Sequence, residues 1–425
     1  MSKKITVDVH HLARVEGHGD IRIRIESGKL IDAAWEVVET PRFFEAMLVG
    51  KHYSTAPVLT ARICGICSIG HALASLRGIE NALGVAIPDT AAKLRLLAKH
   101  GETLQSHFLH LFFLAAPDFL GLPSVLPLLS TRPAVVALAA KAKGIANHLC
   151  DAVAGRTTHP VSFKVGGMSV APDKAILAGL KNELAEIPEL LKITVEIFQG
   201  FEIPDFARET EFVSLKGQKE YPWIGGRVVS SDGVDLPESS YREITNEFVT
   251  ENNTSKWSKL SRDSYAVGAL ARFNNNFKHL APAAKSIADF FRLSPVSHNP
   301  FMHNIARLVE VVHCLAEARR LVDELLDTDL SRNLAAEVTP RAGSGTGAVE
   351  VPRGILFHHY ELDDTGRIAK ADCVIPTTQN NANIHYDLVE LARQCAARGL
   401  GDKKIELMCS MLVRAYDPCI SCSVH

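Results

Sequence analysis

Two cysteine pairs constrain this chain more than any other feature of its sequence. The first pair is Cys64 and Cys67, and the second is Cys419 and Cys422; each has the spacing C-x-x-C. Two intervening residues allow both thiolates of a pair to reach one ion. Four thiolates form a soft site that suits zinc, nickel or iron–sulfur chemistry better than magnesium or calcium. The sequence therefore predicts a metal site to which both parts of the chain contribute.

A structural zinc site with four cysteine ligands is the simplest alternative. Zinc ribbons usually place their two pairs about 15–20 residues apart. Here one pair lies in the first sixth of the 425 residues and the other in the last seven. This separation favours a buried metal centre formed by distant parts of the fold, rather than a local structural zinc site. A zinc-stabilised scaffold subunit without redox activity is kept as the alternative function, and metal analysis distinguishes the two.

Composition bounds the remaining possibilities. Hydrophobic residues make up 47% of the chain and charged residues 22%, which is enough for a large core and excludes wholesale disorder. The formal net charge of -2 argues against a general nucleic-acid binder. The sequence contains no run of about 20 apolar residues, so no membrane span is predicted. The amino terminus also lacks the apolar run of a signal peptide. Nine cysteines in such a chain indicate reduced thiols and a cytoplasmic protein.

Apolar residues recur at helical spacing over most of the chain and predict a mainly α fold, a bundle of long helices with a small β element at its amino terminus. Residues 1–40 are predicted as β structure, because Ile21, Ile23 and Ile25 alternate with charged residues and Ser27-Gly28 is typical of a hairpin turn. Helices are predicted over 73–83, 89–116, 133–154, 173–200, 241–256, 281–292, 300–327, 383–399 and 402–415.

Two stretches break the helical pattern. Residues 202–240 are rich in Gly and Pro and predict an irregular or β excursion. The glycine-rich segment Gly343–Gly347 is predicted as a loop, and no nucleotide site is placed there because no Lys follows it. No clear linker divides the chain, so residues 1–425 are interpreted as a single interwoven domain.

Taken together, the motifs resemble those of the nickel–iron hydrogenase large subunit. Both cysteine motifs match the family without a substitution, and three further segments are similar to family elements. The segments are Arg14-Val-Glu16-Gly-His18, Arg62-Ile-Cys64-Gly-Ile-Cys67 with His71, Thr339-Pro340-Arg341, Val374-Ile375-Pro376-Thr377 and Asp417-Pro-Cys419-Ile-Ser-Cys422 with His425.

The resemblance implies a nickel–iron centre whose iron carries carbon monoxide and cyanide. Cys64 and Cys419 would be the terminal nickel ligands, and Cys67 and Cys422 would bridge nickel and iron. Pro340, Arg341 and Thr377 would line the diatomic ligands, with donors directed at cyanide because a buried anion without hydrogen bonds is costly. His71 lies four residues after Cys67 and would hydrogen-bond a cysteine sulfur.

The implied activity is reversible heterolytic cleavage of H2 into protons and electrons. Cys419 would accept the proton at its sulfur, and Glu16 would carry it outward. Arg341 would act electrostatically, because a guanidinium hardly deprotonates in proteins. Asp417 is expected to contact Arg341 or to cap the last turn. The family also binds magnesium, and the ligands carried over are Glu45, His425 and the backbone carbonyl of Cys373.

The resemblance also implies partners. Apart from the two pairs, the chain has no closely spaced cysteines for a cluster, so the electrons would leave through an iron–sulfur small subunit, and the metal site would lie buried near that interface. Periplasmic members carry Asp at the position of Ser106. The segment around Ser106 is therefore more similar to that of the cytosolic, bidirectional members. Those members use flavin or diaphorase-type subunits to couple H2 to NAD(P) or the deazaflavin F420. A relative from a respiratory complex that has lost its metals would lack the cysteines.

Overall fold

The computed structural model describes residues 4–425, and most of its regular structure is helical. The helices are α1 Phe44–Leu48, α2 Ala56–Thr60, α3 Ser68–Leu83, α4 Asp89–Leu109, α5 Ala116–Phe119, α6 Leu128–Thr131, α7 Pro133–Ala154, α8 Lys174–Leu184, α9 Ile187–Gln199, α10 Tyr241–Thr245, α11 Ala269–Asn276, α12 Pro282–Phe290, α13 His303–Leu326, α14 Pro376–Ala397, α15 Asp402–Tyr416 and α16 Ile420–Ser423. Among the described residues, no helix is long and apolar enough to cross a membrane.

Twelve short or medium strands accompany these helices. They are β1 Lys4–Val9, β2 Gly19–Glu26, β3 Lys29–Val37, β4 Phe163–Lys164, β5 Gly167–Met168, β6 Glu211–Leu215, β7 Arg227–Ser230, β8 Asp235–Pro237, β9 Tyr265–Ala266, β10 Gly343–Val351, β11 Gly354–Leu362 and β12 Ile368–Val374. The expected class, mainly α with small sheets, is confirmed.

The amino-terminal element is an antiparallel sheet in the order β1-β2-β3. Ile21, Ile23 and Ile25 of β2 are all buried on one face, while the charged residues between them face outward. The hairpin between β2 and β3 turns at Ser27 and Gly28, both with positive φ. Alternation with a period of two therefore located this sheet correctly. Residues 1–3 of the predicted segment lie outside the described residues.

The glycine-rich segment predicted as a loop is the strand β10, so that prediction was wrong. Strands β10, β11 and β12 form an antiparallel sheet that packs closely against α3. A Cβ on Gly345 would lie 2.3 Å from the Gly78 carbonyl oxygen, and one on Gly347 would lie 2.3 Å from that of Ala74. Alternate glycines therefore allow the strand backbone to touch the helix backbone, which is why the segment lacks the side chains of an ordinary strand.

Long helices pack around this sheet, with α4 against both α7 and α13. Ile305, Leu308 and Leu315 of α13 are buried at the predicted helical spacing. The α4 axis continues into α5 through a π-helical turn over His110–Ala115. Such turns occur often at functional sites, and here the turn places the His110 ring Nε2 2.8 Å from the Arg414 carbonyl oxygen.

Two helix predictions need correction. The segment 241–256 is helical only in α10, because Asn246 adopts a left-handed conformation with φ 38° and ends the helix. The segment 173–200 forms two helices, α8 and α9, because Pro188 in the first turn of α9 cannot continue a helix from Leu184. Residues 202–240 contain the strands β6, β7 and β8, which join β9 in a four-stranded sheet.

Candidate metal centre

The first cysteine pair lies in the turn between α2 and α3. Cys67 is the residue immediately before α3, and its backbone N–H donates to the Cys64 sulfur over 3.1 Å. Both side chains are buried, and the helix that follows directs its N-terminal dipole at them. The helix dipole favours thiolate, whereas burial favours the neutral thiol.

The second pair follows the end of α15. Asp417 adopts a left-handed conformation with φ 54°, which ends α15 and turns the chain inward. Cys419 then precedes the short helix α16, which contains Cys422. The Thr377 hydroxyl at the start of α14 accepts the Cys419 backbone N–H over 2.9 Å. Thr377, predicted to line the centre, is therefore held directly against a cysteine backbone.

The two pairs converge in the folded chain. The sulfurs of Cys64 and Cys419 lie 3.7 Å apart, and those of Cys64, Cys67 and Cys422 all lie within 4.8 Å of one another. The structure joins the sulfurs of Cys419 and Cys422 as a disulfide, whereas metal binding requires both as thiolates. All four side chains are at most 4% exposed. The expected site therefore has the sulfur donors, the proximity and the burial that a soft metal needs.

The pKa values of the Cys64 and Cys67 thiols are shifted in opposite directions. Burial alone raises the pKa of Cys64, but the hydrogen bond from Cys67 and the Arg353 guanidinium outweigh it, so the pKa is lowered. The hydrogen bond to Cys64 is the main reason that the pKa of Cys67 is raised, and burial and the neighbouring charge add to it. Cys64 is thus the first thiolate of this pair to form.

Arg353 is the cation that faces these cysteines. It lies in the two-residue turn between β10 and β11, after Pro352, and is 3% exposed. Its Nε donates to the Asp417 carbonyl oxygen over 2.7 Å and its Nη2 to the Asp417 carboxylate over 3.0 Å. Its Nη1 is buried without a protein partner. A buried donor without a partner, on a side chain that binds Asp417 and acts on the charges of Cys64 and Cys67, fits an anionic, non-protein ligand in the centre.

The structure does not bring Pro340 and Arg341 to the cysteines, which contradicts their predicted position. Both residues are exposed, and the Arg341 guanidinium lies against Gly84, the cap at the far end of α3. Cys67 is at the opposite end of this 16-residue helix, which is about 24 Å long. The contact expected between Asp417 and Arg341 is made by Arg353 instead.

Sequence reasoning missed Pro352 and Arg353, although a signal was present. The chain contains Pro-Arg twice within this region, and only the second copy is followed directly by glycine after an apolar strand. Gly354 has φ 139°, and a Cβ there would lie 2.3 Å from the Val267 side chain. A strand, a Pro-Arg-Gly turn and a second strand together predict a buried hairpin tip, whereas the first copy lies outside any strand.

Glu16 contacts the second cysteine pair directly. The Cys419 sulfur lies 3.2 Å from its Oε2, and the backbone N–H of Ser421 donates to the same oxygen over 3.1 Å. The Ser421 hydroxyl donates to Oε1. The backbone N–H of Ile420 also donates to the Glu16 carbonyl oxygen over 2.9 Å. These contacts fix a carboxylate beside the Cys419 sulfur, at a distance over which a proton can move when that sulfur is reduced.

His71 lies in α3 close to the first pair, but it makes a different contact from the one expected. Its ring Nδ1 lies 3.1 Å from the Nε2 of His358, and no cysteine sulfur is among its hydrogen-bond partners in the described structure. Burial, together with His358, holds the pKa of His71 well below its usual value. The ring is therefore neutral at physiological pH.

A second group of possible ligands lies where α1, β12 and the last residue meet. Glu45, Cys373 and His425 offer ligand atoms within 4.8 Å of one another. The Glu45 carboxylate accepts the Cys373 backbone N–H over 2.7 Å and lies 3.5 Å from the His425 ring. A carboxylate and an imidazole suit a hard or borderline divalent ion, so the residues predicted to bind magnesium are brought together.

The chain is similar to known proteins over nearly its whole length. A family model described as nickel-dependent hydrogenase matches residues 42–144 and 237–425. The chain is 33% identical to the sulfhydrogenase 1 subunit alpha of Pyrococcus furiosus, covering 99% of this chain and 97% of that protein. It is 29% identical to the subunit beta of the NAD-reducing hydrogenase HoxS of Cupriavidus necator, covering 100% and 95% of the two chains.

A solved structure supports the same assignment. The NAD+-reducing [NiFe]-hydrogenase in its H2-reduced state superposes with a TM-score of 0.89 at 28% identity, covering 100% of this chain and 99% of the other. The family match includes both cysteine pairs, and the relatives are matched over nearly their whole length. The chain therefore belongs to the nickel-dependent hydrogenase family and is the catalytic large subunit of an oxidoreductase that acts on hydrogen.

Proposed function

We propose that this chain catalyses the reversible heterolytic cleavage of H2 at a nickel–iron centre held by Cys64, Cys67, Cys419 and Cys422. The convergence of four buried sulfurs from distant parts of the chain is the observation that carries the proposal. When bound, the metals supply the site at which H2 is polarised and its electrons are taken up. In this assignment the four cysteines would hold the metals as thiolates.

The protein groups around the sulfurs have separate tasks. The Cys419 sulfur accepts a proton and passes it over 3.2 Å to Glu16, whose position is fixed by Ser421. Arg353, in place of Arg341, has a buried Nη1 without a protein partner, which would be free to donate to an anionic ligand of the centre and stabilise its charge. Pro352 is buried in the same turn as Arg353, and Thr377 holds the Cys419 backbone. Cyanide and carbon monoxide on iron fit this mixture of donors and apolar surface.

We propose that a magnesium ion binds to Glu45, His425 and the backbone carbonyl of Cys373. They connect α1, β12 and the segment that carries Cys422. The ion would stabilise this junction and thereby the second cysteine pair. The carbonyl of Cys373 was expected as a ligand, but its N–H is the group that contacts Glu45, so the carboxylate and imidazole are the ligands best supported.

The electrons are proposed to leave through an iron–sulfur small subunit and then through flavin or diaphorase-type subunits. Similarity to proteins named as NAD-reducing supports NAD(P) as the final carrier. The methanogen relatives are named F420-non-reducing hydrogenases, so nothing in their names supports F420. Coupling to NAD(P) is consistent with a cytoplasmic location. Reduction of NAD+, NADP+ or F420 by the purified complex under H2 identifies the carrier.

The central proposal is tested by metal analysis and by one matched pair of variants. The purified enzyme should contain nickel and iron in equal amounts and show infrared bands of metal-bound carbon monoxide and cyanide; zinc alone would support the scaffold alternative. Glu16→Gln should keep these metals and bands but lower H2/D+ exchange by about 100-fold or more, because the carboxylate that carries the proton is lost. Glu39→Gln is the control, since Glu39 contacts His18 rather than a cysteine. Normal exchange in Glu16→Gln would refute the proton route.

A further inference from the structure

Arg353 can act on the metal centre only if the hairpin tip that carries it is held in one orientation. The tip, Val351–Gly354, has only two turn residues between β10 and β11. It is buried, and from it Arg353 binds Asp417, which lies two residues before Cys419. A small rotation of the peptide planes at Val351 and Pro352 would move the guanidinium at the end of the Arg353 side chain. The backbone carbonyls of these two residues are therefore the points at which the tip can be fixed.

A second buried arginine binds both carbonyls. Arg272 of α11 is fully buried, and its Nη1 donates to the Val351 carbonyl oxygen over 2.9 Å. Its Nη2 donates to the Pro352 carbonyl oxygen over 3.2 Å. One planar guanidinium thus contacts two consecutive peptide groups, which a single flexible donor cannot do. These bonds fix the backbone from which Arg353 extends.

Two carboxylates hold Arg272 in turn. Its Nε and Nη2 donate to Glu310 of α13 over 2.6 and 2.7 Å, and its Nη1 donates to Glu350 of β10 over 2.9 Å. Glu310 also accepts the Tyr221 hydroxyl over 2.8 Å and lies 2.8 Å from the His107 ring. A buried guanidinium is costly unless it is paired in this way. Each N–H group of Arg272 therefore donates to a partner on another element.

We propose that Arg272 is a positioning residue for the hydrogenase reaction: it locks the Val351-Pro352 carbonyls so that Arg353 keeps its contact with Asp417 and its unpartnered Nη1 stays available to the metal centre. The inference rests on the role given to Arg353 under the proposed function. Arg272 contacts neither the sulfurs nor Asp417, so it acts through Arg353. Its contribution should therefore disappear when Arg353 is changed.

A double-mutant cycle on the purified metal-loaded complex tests this dependence. The variants are Arg272→Lys, Arg353→Lys and the two combined, and lysine keeps the charge while losing the fork of donors. Arg95→Lys, alone and combined with Arg353→Lys, is the matched control. Arg95 is also buried, pairs with Glu80 over 2.7 and 2.8 Å, and donates to two backbone carbonyls over 2.9 Å, but it lies on α4 away from the tip.

Arg272→Lys should keep nickel and iron, shift the infrared bands of the metal-bound cyanides, and lower kcat by about 10- to 100-fold, the scale of a misplaced catalytic group. In the Arg353→Lys background it should lower kcat by less than about twofold, because contributions of groups that act as a unit are not additive. Arg95→Lys should shift no band, and any activity loss it causes should be equal in both backgrounds.

Two results would overturn the proposal: unshifted bands in Arg272→Lys, or the same activity loss with and without Arg353. If Arg353→Lys itself changes neither bands nor turnover, the proposed role of Arg353 is wrong, and this outcome is distinguished from failure of the Arg272 inference. Should Arg272→Lys not fold, Glu350→Gln replaces it, because it weakens one anchor of Arg272 while keeping an oxygen acceptor. It should produce a smaller shift of the same bands, and an unchanged spectrum would also reject the proposal.

Discussion

Two of the Pro-Arg pairs in the chain, Pro340-Arg341 and Pro352-Arg353, lie twelve positions apart and differ in their burial. Pro340 and Arg341 are exposed, and Arg341 lies against Gly84 at the far end of α3 from the cysteines. Pro352 and Arg353 form a buried hairpin tip, and Arg353 binds Asp417. The same dipeptide therefore has a different environment in the two places, because only the second pair lies in a buried turn between two strands.

The largest expected effect is a difference in kcat between variants of the two arginines. Arg353→Lys should lower kcat for H2 oxidation by about 10²- to 10³-fold, as removal of a preorganised charged donor commonly does. Arg341→Lys should leave kcat unchanged, because the side chain faces solvent away from the centre. Dye-linked H2 oxidation by both purified variants, corrected for nickel content, measures the contrast. Equal losses in the two variants would mean that the hairpin tip is not the functional copy.

A smaller effect is expected when the partner of Arg353 is changed. Asp417→Asn keeps an oxygen acceptor but removes the charge that pairs with the buried guanidinium at 3.0 Å. We expect a loss of about tenfold in kcat, equivalent to about 1.4 kcal/mol, and a lower unfolding temperature. Glu80→Gln is the matched control, because Glu80 is also buried and pairs with Arg95. A fall in stability without a fall in kcat for Asp417→Asn would assign this pair a purely structural role.

The comparison also shows how far the sequence could be interpreted alone. Period-two alternation placed β2, and helical spacing placed α7 and α13, since each depends on local residues. The resemblance supplied the cysteine and Glu45 assignments, whose side chains the fold brings together. Arg353 was missed because the glycine-rich composition concealed the strand β10, and without that strand the Pro-Arg-Gly turn was not interpreted as a hairpin tip. Gly345 and Gly347 serve a helix contact that no local pattern reveals.

The buried surroundings of the second Pro-Arg pair predict a pH dependence that the first cannot have. Burial lowers the pKa of His107, which contacts Glu310 beside Arg272, to about 4. The unfolded chain binds this proton near pH 6.5, so between pH 6.5 and 4 it holds more protons than the folded chain. Stability should therefore fall as the pH is lowered through this window, by about 1.4 kcal/mol per pH unit for each such histidine.

Denaturant unfolding of the holoprotein at several pH values between 4.5 and 6.5 measures this slope. His313, whose pKa burial also lowers to about 4, should add a similar contribution. His107→Gln should reduce the slope of unfolding free energy against pH by the contribution of one histidine. Arg341→Lys should reproduce the slope of the unaltered chain. A slope that is unchanged in His107→Gln would mean that this ring takes up its proton in the folded protein as readily as in the unfolded chain.

The smallest effect concerns stability at the exposed copy. Arg341→Ala should change the free energy of unfolding by no more than about 0.5 kcal/mol, as is usual for surface positions that lack a cap or a buried partner. Arg353→Ala should cost several times more, because it leaves the Asp417 carboxylate buried without its cation. Both values come from the same denaturation experiment at neutral pH. If Arg341→Ala were as destabilising as Arg353→Ala, the guanidinium packed on Gly84 would be structurally essential, and burial would no longer explain why the two copies differ.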